Sequence, residues 1–295
     1  MSRRLILRIG ALLLIVMALV GMNTLRNAAR WQPVTDTVDE RLALIGPGIR
    51  ILAPDGPGPH PAAVLLSGCD GVRDNMDYWA GRMVALGRTA VIVDSHHPRG
   101  LDQLQAWRAV CAGQVMPGAE RAGDLAVTLA WLRGQPGIDA DDVALLGASH
   151  GGWTVMEFLD LASTGAVPPG LAEWPAPPDG LLAQLGPVFL LYPYCGVLNG
   201  AGKARWPAHV AGLMILGDDD SIVDTAKCAQ MGQGLADRGA GLQVVTLTGA
   251  DHGFDQKERS VLSLLDYDAE LTAEATGLFD DFMRGTDGLA AATGI

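Results

Sequence analysis

Short apolar runs rich in Val, Leu and Ile alternate along the chain with longer stretches of helical apolar spacing. The runs at 62–66, 90–94, 143–147, 188–192, 213–216 and 242–247 read as strands buried on both faces, as in a parallel sheet. Between them, 77–86, 120–133, 151–161 and 221–236 read as amphipathic helices. In the second of these, Leu125, Leu129 and Leu132 recur on one face with charged residues opposite. A closing helix is expected over 269–283. This alternation predicts the α/β class: a mostly parallel, doubly wound sheet flanked by helices in a single domain. The region 34–53 is expected to supply preceding edge strands. Segment 167–187 breaks both periods, with six prolines, three glycines and Trp174. It is expected to form a loop or small cap between two strands, because proline-dense sequence continues neither element.

Residues 1–30 differ from the 31–295 body. Arg3 and Arg4 precede an apolar run over 9–22 interrupted only by glycines. A positive start followed by about 7–15 apolar residues is the layout of a secretory signal. Counted from Leu5 through Arg8, the run approaches the lower limit of a bilayer span. The leader therefore reads as a signal peptide or as an uncleaved N-terminal anchor. The stretch Ser2-Arg3-Arg4-Leu5-Ile6-Leu7-Arg8 is also similar to a twin-arginine export signal. A buried first helix is disfavoured, since Arg8 and Arg26 would be buried with it.

Charge sharpens the division. Acidic side chains outnumber basic ones by 33 to 21, for a net charge of −12. The leader carries five arginines and no acid, so the body alone stands at −17. Such a body excludes nucleic acid as a partner, because that binding needs a basic surface. The expected location is outside the cytoplasm, periplasmic or secreted, with membrane association through the leader. Cys69, Cys111, Cys195 and Cys228 lack C-x-x-C spacing, which disfavours a zinc or thioredoxin-like site and permits disulfides.

Gly147-Ala148-Ser149-His150-Gly151 follows a buried strand and opens a helical stretch. That is the setting of a nucleophile elbow, whose glycines permit a strained turn that projects the serine hydroxyl from the sheet. A serine needs a base, and the base needs an orienting acid. In this arrangement the order is serine, acid, histidine, each after a later strand. After the run at 213–216 stand Asp218, Asp219 and Asp220; on spacing alone the acid is any of the three. After 242–247 stands His252, the only histidine beyond the acidic cluster. The backbone N–H of His150 is expected to be one oxyanion donor, and the N–H of Cys69, in Ser67-Gly68-Cys69-Asp70-Gly71, the other.

Taken in order, these residues resemble the dienelactone hydrolase family of α/β-hydrolases. The resemblance is carried by Ser67-Gly68-Cys69-Asp70-Gly71, by Val93-Asp94-Ser95-His96-His97-Pro98-Arg99-Gly100, by Gly147-Ala148-Ser149-His150-Gly151-Gly152 and by Tyr192-Pro193-Tyr194-Cys195-Gly196. The 217–223 turn, Asp251-His252-Gly253-Phe254 and Tyr267-Asp268-Ala269-Glu270 complete it, so it spans about 45–285. It implies Asp220 as the acid, three residues after the turn glycine. The chain departs from dienelactone hydrolases proper in carrying Ser149 rather than cysteine, Gly68 where a carboxylate stands, Ser67 where a histidine is usual, and Gln256 where an arginine is expected. The resemblance therefore implies a serine esterase cleaving small carboxylic esters or lactones, with no metal and no cofactor. The implied fold also suggests disulfides Cys69–Cys111 and Cys195–Cys228, and places Arg99, His96, Trp153 and Tyr194 near the substrate. Two other readings stand beside it: a serine peptidase of the same fold acting on short peptides, and a non-catalytic ligand-binding member.

Overall fold

The computed structural model describes residues 3–259 and 263–293; Met1 and Ser2, the start of the expected leader, lie outside them. In chain order the elements are α1 (Arg3–Ala28), α2 (Val38–Ile45), β1 (Ile49–Leu52), β2 (His60–Leu66), α3 (Asp74–Ala85), β3 (Thr89–Val93), α4 (Gln103–Ala109), α5 (Gly118–Leu132), β4 (Ile138–Ala148), α6 (His150–Thr164), α7 (Pro178–Ala183), β5 (Leu185–Leu191), β6 (Ala211–Gly217), α8 (Thr225–Ala236), β7 (Gly241–Leu247) and α9 (Ala269–Thr293).

The strands form one sheet in the order β1-β3-β2-β4-β5-β6-β7. Among the described residues, only the β1–β3 pair is antiparallel; the rest run parallel. Period-two alternation divides the strand side chains between two cores. Val64 and Leu66 of β2 pack with α5 and α6, while Ala63 and Leu65 pack with α3 and α9. Helices on both faces explain why the strands read as continuous apolar runs. The chain is thus a single α/β domain of the doubly wound, α/β-hydrolase kind.

This topology positions the site. Chain order departs in opposite directions from β2, to β3 on one side and to β4 on the other. The crevice beyond the carboxyl ends of β2 and β4 is the switch point where open α/β sheets bind ligands. The loop from Ser67 and the turn at Ser149 both open there.

One expected feature turns out differently, and a second takes the form of a connecting segment away from the cavity. Segment 34–53 supplies one edge strand, β1, preceded by a helix. Thr37 and Glu40 form a reciprocal capping box that starts α2. The proline-rich segment 167–187 contains α7 and follows the C-terminal end of α6, and none of it lines the pocket beside Ser149. Helix α6 starts at the site and runs away from it, so the segment joining α6 to β5 returns at the other end of the sheet.

Candidate active site

Ser149 stands between β4 and α6 with φ 51° and ψ −110°. It is the N-cap of α6, yet it makes no side-chain cap hydrogen bond. An N-cap serine ordinarily accepts from the helix's first free N–H groups. Here the strained turn swings the hydroxyl away from them and into the crevice. The flanking glycines are sterically required: a Cβ on Gly147 would lie 2.5 Å from the Gly151 carbonyl, and one on Gly151 would lie 2.0 Å from the Leu66 oxygen.

His252 reaches Ser149 from the loop after β7. Its Nε2 lies 2.8 Å from Ser149 Oγ, and its Nδ1 lies 2.8 Å from Asp220 Oδ2. The other Asp220 oxygen accepts from the N–H groups of Ile222 (2.9 Å) and Val223 (2.8 Å). That carboxylate is fixed from both sides and almost fully buried, at 1% side-chain exposure. Of its neighbours, Asp218 instead accepts from the Gly249 N–H at 2.6 Å, and Asp219 points to solvent. Of the three carboxylates, that of Asp220 is the one directed at His252. Gly217 is obligatory in this turn, since a Cβ there would meet the Ala250 oxygen at 2.1 Å. Asp251 braces the loop by accepting from the N–H groups of Ser221 and His252. Although partial burial opposes it, those bonds hold its carboxyl below the usual range.

The start of α6 and the 67–71 loop both border the space beside Ser149. His150 is the first residue of α6, so its N–H has no intrahelical acceptor. The Gly68–Cys69 loop lies against Ser149, with a Cβ on Gly68 falling 3.8 Å from the serine Cβ. Behind both sits Arg121, fully buried on the first turn of α5. Its Nη1 donates to the Ser67 carbonyl at 2.7 Å and lies 3.2 Å from His150 Nδ1, while Nη2 and Nε reach the Ser67 and Ser95 hydroxyls. Burial lowers the Arg121 pKa to about 10, so it stays charged at neutral pH. Burial, and then the nearby Arg121 charge, push His150 down to about 3, so its ring is neutral.

The crevice opens into a cavity of about 460 Å³. Its walls bring in residues that sequence reasoning did not single out, notably Trp107, Arg108, Ile222, Arg259 and Leu265. Arg259 pairs with Asp266 at 2.8 Å. Asp70, also on the wall, accepts from Gln256 at 3.0 Å, and burial raises its carboxyl above the usual range. Beneath the site, Asp255 accepts from the Tyr192 hydroxyl, from Trp79 Nε1 (2.7 Å) and from Asn75 (3.5 Å). The Tyr192 ring packs 4.8 Å from that of His252. Burial raises both Asp255 and Tyr192.

Cys69 is bonded to Cys111 and Cys195 to Cys228, with Cα separations of 5.0 and 5.2 Å. The first bridge ties the loop carrying the Cys69 N–H to the segment after α4 that walls the cavity.

The four residues expected to touch substrate do not line the cavity. Arg99 forms a two-pronged pair with buried Asp124, at 2.9 and 2.8 Å, which Arg41 joins at 3.0 Å. His96 is buried behind the 67–71 loop, and burial holds its pKa well below the ordinary value. Trp153 is buried on α6 and donates to Glu157 at 2.8 Å. Tyr194 packs against the Trp153 ring at 4.9 Å. His96 and Trp153 are buried, Arg99 and Tyr194 partly so, and none of the four is among the cavity's lining residues.

Residues 206–286 match the sequence model of the Dienelactone hydrolase family, a segment that contains both Asp220 and His252. No curated protein matches the chain. Among solved structures, a putative dienelactone hydrolase from Klebsiella pneumoniae is similar at TM-score 0.59 and 18% identity, over 79% of this chain and 91% of that one. A dienelactone hydrolase-like promiscuous phosphotriesterase from metagenomic libraries matches at TM-score 0.60 and 21% identity, over 80% and 91%. Esterase 2 of Thermogutta terrifontis, phosphonylated by cyclosarin, matches at 0.59 and 14%, over 80% and 88%. At these identities the structures establish the fold. The resemblance to the dienelactone hydrolase family is carried by sequence over 206–286 and by fold over about four-fifths of the chain.

Proposed function

We propose that this dienelactone hydrolase-like chain is an exported serine hydrolase that cleaves carboxylic esters by acyl transfer. The observation that carries the reading is the continuous line from Asp220 through His252 to Ser149, with 2.8 Å at each step. Ser149 Oγ attacks the ester carbonyl while His252 Nε2 takes its proton. Asp220 keeps the Nδ1 proton in place and stabilises the imidazolium as it forms. Charge developing on the carbonyl oxygen is met by the N–H groups of His150 and Cys69. The proton on His252 then passes to the leaving alcohol, and water attacks the acyl-enzyme by the same route in reverse. An esterase of similar fold that is phosphonylated by cyclosarin is in keeping with this reading.

Export is supported by α1, an apolar helix long enough to cross a membrane, and by the two disulfides, which persist in oxidising compartments. The test is hydrolysis of a short-chain activated ester by the purified chain and by Ser149→Ala. Turnover by the parent with loss in the variant is expected. Full turnover by Ser149→Ala would sink the mechanism.

A further inference from the structure

The apolar leader does not stop where the folded domain begins; its last turns belong to the domain. Asn27 is 2% exposed and donates to the Gly113 carbonyl at 2.8 Å. Asn23 donates to the Gln114 carbonyl at 2.7 Å and to its side-chain oxygen at 3.0 Å, and Gln114 returns a bond to Thr24 at 2.9 Å. Just beyond, Arg30 pairs with Glu157, and with Asp160 at 2.7 Å, on α6. A segment discarded after export would have no reason to bury an asparagine against a domain backbone. The 18-residue window of α1 that is apolar enough to cross a membrane is, by contrast, entirely unburied.

The loop that receives Asn23 and Asn27 is also a wall of the active-site cavity. Trp107, Arg108, Cys111 and Ala112 line the cavity, and the partners of the leader are the next two residues, Gly113 and Gln114. The stretch 5–22, apolar but for Arg8 one turn from its start, is ~27 Å long as a helix, close to the thickness of a hydrocarbon core. Asn23 follows it at once, and Asn27 lies only ~6 Å further along the axis. With 5–22 in a hydrocarbon core, the 103–115 segment would meet the bilayer surface. It presents Leu104, Trp107 and Val115, all exposed, together with Arg108, a combination suited to the headgroup zone. Arg3, Arg4 and Arg8 at the far end of α1 set the opposite leaflet as cytoplasmic.

We propose that the leader is retained as a single-span anchor docked on the catalytic domain, holding the cavity mouth at the bilayer surface so that the enzyme draws apolar-chain esters from the lipid phase. This substrate class rests on the esterase reading above. The docked polar residues set the orientation, and the cavity wall beside them receives the acyl or alkyl chain.

The test uses the full chain. Its intact mass after membrane extraction should include the leader; a mature terminus beyond the apolar run would overturn the proposal. The protein is then reconstituted in phosphatidylcholine vesicles and given a water-soluble acetate ester and a long-chain ester dissolved in the bilayer. Asn23→Ala/Asn27→Ala removes the side-chain donors that dock the leader on the Gly113 and Gln114 carbonyls, whereas Gln114→Ala removes only the side-chain bonds to Asn23 and Thr24. Because docking sets the effective concentration of the cavity at the bilayer, the double variant should lower turnover of the bilayer ester by ~10-fold while leaving the soluble ester within ~2-fold, and Gln114→Ala should act in the same direction by a smaller factor. Equal effects on the two esters in the folded double variant would refute the oriented anchor and leave the esterase reading intact. Hydrolysis of neither ester by the parent would instead refute the esterase reading and the substrate class with it.

Discussion

Arg121→Met removes one cation that braces both backbone donors of the proposed oxyanion hole. The Met side chain roughly keeps the length and apolar volume of arginine while deleting the guanidinium. What it leaves behind is the Ser67 carbonyl, formerly 2.7 Å from Nη1, the two serine hydroxyls and the neutral His150 ring. A charge-assisted hydrogen bond contributes ~1.5–3 kcal/mol, and a stranded buried carbonyl costs ~1–3 kcal/mol. Relief of the arginine's own burial offsets part of this, so a net loss of about 3 kcal/mol is expected, at the low end for breaking a buried charged cluster. The kinetic effect has a separate origin. Ser67 immediately precedes Gly68–Cys69, and His150 carries the other donor, so freeing both shifts N–H groups that act on the transition state. Complete loss of one such donor costs ~10²–10³ in kcat, and partial displacement should cost about 10–100-fold. KM should stay within about 2-fold, because ground-state binding uses the cavity walls. The assay is steady-state kinetics on a short-chain activated ester, at a temperature where the melting curve shows the variant folded. A folded Arg121→Met protein with kcat within about 2-fold of the parent would refute the bracing role.

Three further outcomes follow from the same geometry. Gly151→Ala places a Cβ 2.0 Å from the Leu66 oxygen, so the elbow cannot close unchanged; a loss of about 4 kcal/mol, read as a Tm about 10 °C lower, is expected, and an unchanged melting curve would contradict it. Asp220→Asn preserves shape but frees the His252 tautomer, and kcat should fall about 10³–10⁴-fold, whereas Asp218→Asn and Asp219→Asn should stay within about 3-fold. His96 is buried with its folded pKa depressed, so the unfolded state binds the extra proton as pH falls below its ordinary value near 6.5. Its contribution to stability is therefore full above about pH 6.5 and is lost on acidification, by about 1.4 kcal/mol per pH unit. Raised Asp70 and Asp255 act in the opposite sense, so the comparison is between parent and His96→Gln in denaturant titrations from pH 7 to 5. Parallel curves for the two proteins would exclude the linkage.

Much of the central frame is legible in the chain because its residues leave little choice. The runs around Val64, Leu145 and Leu190 are apolar on both faces, which only a covered sheet accommodates. Gly147 and Gly151 stand where any Cβ would strike backbone, so the elbow announces itself locally. What resists sequence reading is whatever depends on direction or on distant partners. Asp218, Asp219 and Asp220 are adjacent and chemically identical, and only the path of the turn aims the last at His252. Arg99 and His96 look like site residues until Asp124, 25 positions from Arg99, claims the guanidinium and the loop at Gly71 packs against the imidazole. Trp107, Arg108 and Arg259 were missed because a short helix and an irregular connection carry them, with no period to mark them. The start of α2 was readable: Thr37 and Glu40 have capping-box spacing just before an apolar run.

The most direct measurement is labelling of the intact chain with a fluorophosphonate probe, followed by peptide mass mapping. A single adduct on Ser149, abolished by Ser149→Ala and strongly slowed by His252→Ala, is the result expected of a serine activated along the Asp220–His252 line. An unmodified Ser149 in folded protein would contradict the central claim and make the chain a non-catalytic bearer of the fold.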